Sequence, residues 1–175
     1  MRTIVITGAS SGIGAQAARH LARSHPEDRL ILIGRNPDRT KRVAAEVGAD
    51  YFFADYSRLA DVRRLAVKLR DTTDRIDVLA NNAGGLFSGP SLTQDGFELT
   101  FQTNHLAPML LTHELLPMLQ QSRATVVATA SMANLMARPD LTDLNGLREF
   151  HAFRNYANSK LANILFTQEL FARFP

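Results

Sequence analysis

The feature that most constrains this chain is a regular alternation of short apolar runs with segments of helical periodicity. The apolar runs lie at residues 3–7, 30–34, 51–54, 76–80 and 125–130. Each run is nearly continuous in branched and small apolar residues, which is typical of a strand covered by helices on both faces. The alternation therefore predicts an α/β fold with a doubly wound parallel sheet and right-handed crossovers.

Helix signals lie between the apolar runs. Ile13, Ala17 and Leu21 share one face of the segment after the first run, and Asn36 followed by Pro37 is typical of a helix start. Further helices are predicted at residues 59–69, 97–119 and 156–171. A chain of 175 residues is long enough for one domain of this kind, so we expect a single domain over residues 1–175.

Composition excludes several other classes of protein. An apolar fraction of 45% and only 7 prolines argue against a disordered or fibrous chain. The absence of cysteine excludes disulfides and cysteine-ligated metals and permits a reducing compartment, so a cytoplasmic location is expected. The N-terminal residues contain neither a signal-peptide core nor a membrane span.

The basic residues are localised in one part of the chain. Residues 29–75 contain 11 basic and 7 acidic side chains, whereas the whole chain has a formal charge of +3. Several of these basic residues lie on the polar side of a predicted helix without interleaved aromatic residues, so no nucleic-acid partner is predicted. The five histidines show no metal-ligand spacing backed by carboxylates, so no metal is predicted.

A glycine-rich turn directly follows the first predicted strand. Its glycines have the spacing G-x-x-x-G-x-G and lie at the start of the first predicted helix. Such a turn lets backbone N–H groups approach a pyrophosphate, whose charge the positive end of the helix dipole stabilises. The pattern favours a dinucleotide phosphate site over an ordinary glycine-rich turn. The predicted residues are Gly8, Ser10, Ser11, Gly12, Ile13 and Gly14.

The end of the second predicted strand bears on the identity of the dinucleotide. An acidic residue here would bind the ribose 2′-hydroxyl of NAD. The sequence instead has Arg35, whose guanidinium can bind a 2′-phosphate with two hydrogen bonds. NADP(H) is therefore favoured over NAD(H), although Arg35 and Arg39 could also be ordinary solvated charges. Asp55, after the third strand, could accept from the adenine amino group or simply stand at a helix N-terminus.

Tyr156 and Lys160 form a second candidate cluster. They are spaced i and i+4 in a predicted helix, which places them on one face with the ammonium near the phenol. The ammonium would favour the ionised phenol, which can exchange a proton with an alcohol or alkoxide while a nicotinamide carries the hydride. Taken alone, such a pair is more typical of a surface contact.

The combination of motifs resembles the short-chain dehydrogenase/reductase family. The glycine turn, the segment Asn81-Asn82-Ala83-Gly84 after the fourth strand and the Tyr156-to-Lys160 motif occur in the family's order. The resemblance covers residues 3–174. Arg35 and residues 156–167 are most similar to the branch that contains retinol dehydrogenases, WW-domain oxidoreductases and protochlorophyllide reductases.

The resemblance implies a role for each matching residue. It implies Tyr156 as the acid/base, Lys160 as a ribose ligand that tunes the tyrosine, and Ser131 as the hydroxyl that orients the substrate. It implies Asn104 as an element of a proton relay, NADP(H) as the cofactor, and a homodimer or homotetramer in which the helices of Asn104 and Tyr156 pack across an axis. The residues implied to border the cofactor after the fourth strand are Asn82, Ala83 and Gly84.

The local sequence around Ser131 and Asn104 allows these roles to be examined. Ser131 lies just beyond the last predicted strand, where ligands bind in open α/β sheets, although its hydroxyl could also close a loop. Residues 135–150 must then form a long connecting segment between this strand and the helix that carries Tyr156. Pro108 has no N–H for the carbonyl of Asn104. We expect either a kink that frees this carbonyl for a water linked to Lys160, or a helix that begins or breaks near Pro108.

The sequence thus predicts an NADP(H)-dependent oxidoreductase that transfers a hydride between nicotinamide and a small-molecule carbonyl or alcohol. The alternative is a non-catalytic protein that retains the fold and binds the dinucleotide. Because related proteins continue with at least one more strand, we expect a domain that lacks its C-terminal strands and leaves residues 125–130 as an exposed edge. No sequence feature identifies the substrate.

Overall fold

The computed structural model describes residues 1–146 and 148–174. Its centre is a sheet of five parallel strands in the order β3-β2-β1-β4-β5. This is the doubly wound α/β fold that the sequence predicted, and the fold prediction is confirmed. The strands are β1 (Thr3–Thr7), β2 (Arg29–Gly34), β3 (Asp50–Phe53), β4 (Val78–Asn81) and β5 (Thr125–Ala128).

Helices connect the strands and cover the sheet. Between α4 and α5 lies a π-helical turn, Gln102–Leu106, and a 3₁₀ turn, Met132–Met136, follows β5. Within the described ranges, no helix is both long enough and apolar enough to cross a membrane. The helices are α1 (Gly12–Ser24), α2 (Pro37–Val47), α3 (Leu59–Thr72), α4 (Leu99–Phe101), α5 (Ala107–Gln121) and α6 (Ala152–Arg173).

Side chains of β1 divide the core into two layers, because successive residues of a strand point to opposite faces. Ile4 and Ile6 pack with residues of α1 and α2, whereas Val5 packs with residues of α3 and α5. All three are at most 3% exposed. Burial of each such side chain contributes about 1.5–3 kcal/mol, so the central strand is a rigid base for the loops at its carboxyl end.

The two edge strands, β3 and β5, test two different predictions about exposure. We expected helices to cover both faces of every strand, but Tyr51 and Phe53 of β3 are 39% and 38% exposed. That prediction is wrong for β3, because a strand at a sheet edge pairs on one side only and has fewer neighbours on either face. The edge position expected for β5 is confirmed, since among the described strands β5 pairs with β4 alone.

The long helix expected at residues 97–119 contains a π-helical turn. The three-residue α4 leads into this turn, and α5, with Pro108 in its first turn, follows it directly. The residues on either side of both junctions have α-helical backbone angles, and the backbone N–H of Ala107 donates to the carbonyl of Gln102, so the helix continues through this region. Neither alternative at Pro108 describes the structure fully: the helix neither begins nor breaks there, and a wider π-helical turn that contains Asn104 directly precedes the proline.

The strand order locates the crevice in which this fold binds ligands. β2 and β4 lie on opposite sides of β1, so the chain reverses its direction of progress across the sheet at β1. In open α/β sheets, ligands bind outside the carboxyl ends of the strands at such a reversal. The segments after β1 and β4 meet at this point, and both carry residues that the sequence singled out.

Candidate active site

The glycine turn joins β1 to α1 in a conformation that depends on its glycines. Gly8 and Gly12 have φ angles of 68° and 57°, in the left-handed region that favours glycine. A Cβ on Gly14 would lie 2.6 Å from the carbonyl oxygen of Gly8. Ser11 is the N-cap of α1, but its side chain makes no capping hydrogen bond. The N–H groups that begin α1 therefore have no side-chain cap and are suited to bind an anion.

Thr7, at the end of β1, fastens the loop after β4 to the glycine turn. Its hydroxyl accepts from the backbone N–H groups of Asn82 and Ala83, both at 3.0 Å, and donates to the carbonyl of Ala80 at 3.2 Å. The side-chain amide of Asn82 donates to the carbonyl of Thr7 at 3.0 Å. Its oxygen accepts from the Thr129 hydroxyl at 3.4 Å. This network joins the carboxyl ends of β1, β4 and β5.

A cavity of about 230 Å³ extends from the glycine turn to the ends of β2 and β3. Arg35 and Arg39 line it, and both side chains belong to exposed residues. Asn36 is the N-cap of α2 and accepts from the backbone N–H of Arg39 at 2.9 Å, which fixes the start of this helix beside the cavity. Two guanidinium groups at the cavity form a site of positive potential that suits a phosphate.

Asp55, for which the sequence left two roles open, lies beside the cavity and just before α3. It lines the 230 Å³ cavity after β3. Its Oδ1 also accepts from the backbone N–H and the hydroxyl of Ser57, at 3.0 and 2.8 Å, so it shapes the turn before α3. Both of these hydrogen bonds are made by Oδ1, so they do not occupy Oδ2.

A second cavity of about 560 Å³ adjoins the first and ends at Tyr156 and Lys160. The two cavities share residues of the glycine turn and of the loop after β4, so together they form one trough along the carboxyl edge of the sheet. Gly14 lines neither cavity and lies buried beneath the turn. The residues predicted to hold the cofactor that line this trough are Gly8, Ser10, Ser11, Gly12, Ile13, Arg35, Asp55, Asn82, Ala83, Gly84, Tyr156 and Lys160.

Ile13 illustrates a conflict between two sequence signals. Helical periodicity placed it on the core-facing side of α1 with Ala17 and Leu21. In the structure Ile13 is 75% exposed and lines the 560 Å³ cavity, while Ala15 and Ala18 are the apolar residues that α1 buries. The periodicity prediction is wrong at this position, because the first turn of α1 extends beyond the sheet toward the trough.

Tyr156 and Lys160 lie together at the end of the trough, as their spacing predicted. The Nζ atom of Lys160 is 5.6 Å from the centroid of the Tyr156 ring. The same ammonium donates to the carbonyl of Thr129 at 2.8 Å. Lys160 is only 5% exposed, and its burial lowers the pKa of the ammonium from its ordinary value. A buried ammonium beside a phenol can stabilise negative charge on the phenol oxygen.

Ser131 follows β5 and caps the 3₁₀ turn. Its Oγ accepts from the backbone N–H of Ala133 at 3.2 Å. A hydroxyl that accepts at a cap keeps its own proton for donation, so this oxygen can still donate to a carbonyl. The 3₁₀ turn packs against α6, the helix that carries Tyr156. Ser131 therefore closes a loop in this structure, whereas it lines neither cavity of the trough, and its role toward a substrate stays a prediction.

The side chain of Asn104 joins the loop after β4 to α6. Its Oδ1 accepts from the backbone N–H of Gly85 at 2.8 Å, and its Nδ2 donates to the carbonyl of the same residue at 2.9 Å. Nδ2 also donates to the hydroxyl of Ser159 at 3.0 Å. A Cβ on Gly84 would lie 2.8 Å from Oδ1. Asn104, which is 1% exposed, thus supports the wall of the trough from below.

The backbone carbonyl of Asn104 is not free, contrary to the expectation from Pro108. The side-chain amide of Asn163 donates to it at 3.0 Å, and Oδ1 of Asn163 lies 3.1 Å from Nδ1 of His105. The expectation failed because it considered only backbone donors, whereas α6 supplies a side-chain donor. A carbonyl oxygen can accept two hydrogen bonds, so a relay water here would have to share the oxygen with Asn163.

We expect Asn104→Ala to destabilise the fold by about 2 kcal/mol, because it leaves the partly buried backbone groups of Gly85 and the buried hydroxyl of Ser159 without this partner. Chemical denaturation measures this loss. The matched control is Asn134→Ala, which removes an amide from the 3₁₀ turn outside the α4–α5 region. A change in unfolding free energy for Asn104→Ala no larger than that for the control would contradict the supporting role.

Sequence reasoning missed the residues that support the site without forming its predicted motifs. Thr7 holds the loop after β4, Thr129 accepts from Lys160, and Ser159 accepts from Asn104. A polar residue at or just after the end of a predicted buried strand could have indicated a supporting residue, and Thr7 and Thr129 both have this position. Ser159 and Asn163 carry no such signal, because their partners are distant in sequence.

One group of possible metal ligands occurs in the described residues. The ligand atoms of His25, Glu27 and Asp28 lie within 4.8 Å of one another, in the segment before the amino end of β2, whereas the trough lies at the carboxyl ends of the strands. The Arg2 guanidinium bonds to the Asp28 carboxylate and lowers its pKa from the ordinary value, and the Arg2 backbone N–H donates to Oδ1 at 2.8 Å. This carboxylate already has a cationic partner. The prediction that the protein holds no metal stays a prediction.

Comparisons with known proteins point to one family. A family model described as short chain dehydrogenase matches residues 2–174. A Streptomyces protein named for a daunorubicin C-13 ketoreductase is 45% identical, with 99% of this chain and 62% of that protein covered. Human retinol dehydrogenase 13 is 34% identical, with 98% of this chain and 54% of that protein covered. The chain therefore spans about three-fifths or less of the length of these relatives.

Solved structures share the same fold. A crystal structure of a protein from Mycobacterium paratuberculosis is 40% identical with a TM-score of 0.86, and the match covers 99% of this chain and 62% of that one. A short chain dehydrogenase from Escherichia coli CFT073, crystallised with NADPH, is 28% identical with a TM-score of 0.78, covering 99% of this chain and 71% of that one. Because the family match extends over nearly all of its residues, the chain belongs to the short-chain dehydrogenase family, as its motifs predicted.

Proposed function

We propose that this protein is an NADP(H)-dependent oxidoreductase that transfers a hydride between nicotinamide and a small-molecule carbonyl or alcohol. The observation that carries the proposal is the single trough that runs from Arg35 to Tyr156 and Lys160. Similar proteins named as a ketoreductase and as retinol dehydrogenases, and neighbours crystallised with NADPH and NADP, support it.

The residues of the trough fit a dinucleotide. The start of α1, without a side-chain cap, lies where a pyrophosphate could bind, and the close contact of Gly14 with Gly8 keeps the turn tight. Arg35 and Arg39 are suited to a 2′-phosphate at one end. Lys160 at the other end presents a buried ammonium that could donate to ribose hydroxyls.

The mechanism that we propose assigns proton transfer to Tyr156. When bound, the nicotinamide would supply or accept the hydride. In this mechanism the Ser131 hydroxyl donates a hydrogen bond to the carbonyl oxygen and keeps its proton, which holds that oxygen toward the phenol. In reduction, Tyr156 donates its proton as the oxygen becomes an alkoxide, and in oxidation its phenolate removes the proton from the alcohol. Lys160 stabilises the phenolate by its positive charge, because its Nζ atom lies beside the phenol, 5.6 Å from the ring centroid.

The test is an assay of NADPH oxidation over a panel of aldehydes, ketones and quinones, with binding of NADPH measured separately. We expect turnover with at least one carbonyl class, and the reverse reaction with the matching alcohol. NADPH binding without turnover across the whole panel would contradict the proposal and favour the non-catalytic alternative.

The preference for NADPH over NADH depends in this proposal on Arg35. We expect Arg35→Ala to weaken NADPH binding by about 10- to 100-fold, because a charged hydrogen bond to the 2′-phosphate is lost, and to leave NADH binding nearly unchanged. Fluorescence titration with each cofactor measures both effects.

The matched control is Arg42→Ala, which removes the same charge from an exposed residue of α2 that lines neither cavity of the trough. It should change the affinity for either cofactor by no more than about two-fold. An equal loss of NADPH and NADH affinity in Arg35→Ala would show that Arg35 does not discriminate between them.

Several further predictions stand beside the proposal. A homodimer or homotetramer is implied by the family resemblance, and a cytoplasmic location is an expectation from composition. The organisation of residues 1–175 as one dinucleotide-binding domain, incomplete at its C-terminus, and the absence of a nucleic-acid partner likewise stay predictions.

A further inference from the structure

Ser131 belongs to a compact unit at the start of the segment between β5 and α6. The backbone N–H and the side-chain amide of Asn134 donate to the carbonyl of Ser131 at 3.0 and 2.6 Å. The backbone N–H of Ala137 donates in turn to the carbonyl of Asn134 at 3.0 Å. Together with the cap at Ala133, these bonds make residues 131–137 one unit, so Ser131 moves only when the unit moves.

This unit is fastened to α6 by the side chain of Asn158. Its Oδ1 accepts from the backbone N–H of Arg138 at 2.8 Å, and its Nδ2 donates to the carbonyl of Arg138 at 3.3 Å. One side-chain amide thereby pairs both backbone polar groups of a single residue. Such a two-point contact fixes the orientation of the backbone as well as its position, as pairing with a neighbouring strand would.

A second asparagine of α6 contacts the other end of the connecting segment, residues 138–146. The side-chain amide of Asn155 donates to the carbonyl of Gly146 at 3.3 Å. The contact is close, because a Cβ on Gly146 would lie 2.4 Å from Oδ1 of Asn155. Residues 138–146 thus begin and end on asparagines that lie on either side of Tyr156 in α6. Asn155 is buried, whereas Asn158 is partly exposed and can be changed with less risk to the fold.

The position of Ser131 is consequently set from two directions. On the β5 side, the backbone N–H of Thr129 donates to the carbonyl of Asn81 at 3.0 Å. On the α6 side, the unit is held by Asn158, which lies in the same helix as Tyr156. Loss of the two hydrogen bonds made by Asn158 would leave only the packing of the 3₁₀ turn on α6 to hold the unit on this side, and would let Ser131 shift relative to Tyr156. Misplacement of a reacting group by about 1 Å can lower a rate by about 100-fold.

We propose that Asn158 is a positioning residue that holds Ser131 in place relative to Tyr156 and so sets the binding of the carbonyl substrate. This inference rests on the proposed function, in which both hydroxyls contact the substrate oxygen. Asn158 lines neither cavity of the trough. Its removal should therefore affect the carbonyl substrate and leave the dinucleotide unaffected.

We call the two hydrogen bonds between Asn158 and the backbone of Arg138 the clamp. Two substitutions distinguish the effect of losing the clamp from the effect of changing the volume of the side chain. Asn158→Leu keeps a similar volume and removes both hydrogen bonds, and we expect it to lower kcat/KM for the carbonyl by about 10- to 100-fold, largely through KM. The affinity for NADPH should stay within about two-fold of the unsubstituted protein. Asn158→Asp keeps the shorter bond from the Arg138 N–H and should restore part of the loss.

The matched control is Gln168→Leu, which removes an amide from the same helix at a residue that does not line the trough. It should leave kcat, KM and NADPH binding unchanged. An Asn158→Leu variant with the kinetic constants of this control would overturn the positioning role.

The rate of amide hydrogen exchange in the connecting segment reports whether Asn158 holds that segment, and it does not depend on enzyme activity. In Asn158→Leu we expect amides in residues 137–146 to exchange about ten-fold faster, with the sheet unchanged. Unchanged exchange in this segment would overturn the clamp. If the unsubstituted protein turned over no carbonyl, the proposed function would fail, and exchange at residues 137–146 would still decide whether Asn158 fastens the segment.

Discussion

Tyr156→Phe should lower kcat by about 10²- to 10⁴-fold, because it removes only the hydroxyl that donates the proton to the substrate oxygen. The phenyl ring keeps its place beside Lys160, whose ammonium lies 5.6 Å from the ring centroid. NADPH should therefore bind with nearly unchanged affinity. Steady-state assay with the best carbonyl of the panel and fluorescence titration with NADPH measure the two quantities on one preparation.

The matched control for this variant is Tyr51→Phe. Tyr51 lies on the edge strand β3, is 39% exposed and does not line the trough, so loss of its hydroxyl should leave kcat unchanged. Full turnover by Tyr156→Phe would refute the proposed mechanism while leaving the family assignment intact. A parallel loss of NADPH affinity would show that the hydroxyl also contributes to cofactor binding.

Features that depend on residues close in sequence were predictable. The order of strands and helices follows from local periodicity, and the Tyr156–Lys160 contact follows from helical spacing alone. The glycine turn was predictable for the same reason, because strand, turn and helix are contiguous. Each of these predictions needed no knowledge of how distant segments pack.

Features that depend on distant segments were not predictable in detail. The carbonyl of Asn104 is bonded by Asn163, and its side chain is bonded to Gly85 and Ser159. These partners meet only after α6 has packed against α4 and the π-helical turn. Periodicity also failed at Ile13, where a helix extends past the sheet and an apolar side chain faces the trough instead of the core.

The edge strand β3 shows a third kind of failure. Its apolar run has the composition of a covered strand, yet Tyr51 and Phe53 are 39% and 38% exposed. Composition reports that a strand suits a sheet, whereas its exposure depends on its place in the strand order. That place is set by the crossovers, which leave no mark in the strand itself.

The second large effect is expected for substitutions in the glycine turn. Its residues allow the effect of a positive φ angle to be distinguished from the effect of steric crowding. Gly8→Ala should destabilise the fold by about 3 kcal/mol and abolish NADPH binding. The new Cβ would combine a φ of 68° with a position 2.8 Å from Cα of Ala83, where the backbone cannot yield. Gly14→Ala meets crowding without a positive φ and should cost about 1–3 kcal/mol.

Gly12 and Gly48 form a matched pair that isolates the role of the turn. Their φ angles are 57° and 66°, and a Cβ on either would have no atom within 4 Å, so alanine brings only backbone strain of about 1 kcal/mol at both. Gly48 ends α2 away from the trough, whereas Gly12 lines it. Chemical denaturation should therefore show equal losses of stability.

NADPH titration should separate the members of this pair. We expect weaker binding for Gly12→Ala, because strain in the turn moves the N–H groups that begin α1, and unchanged binding for Gly48→Ala. Equal affinities in the two variants would mean that the turn does not hold the pyrophosphate. The proposed position of the dinucleotide would then be wrong, even if Tyr156→Phe had confirmed the chemistry at the other end of the trough.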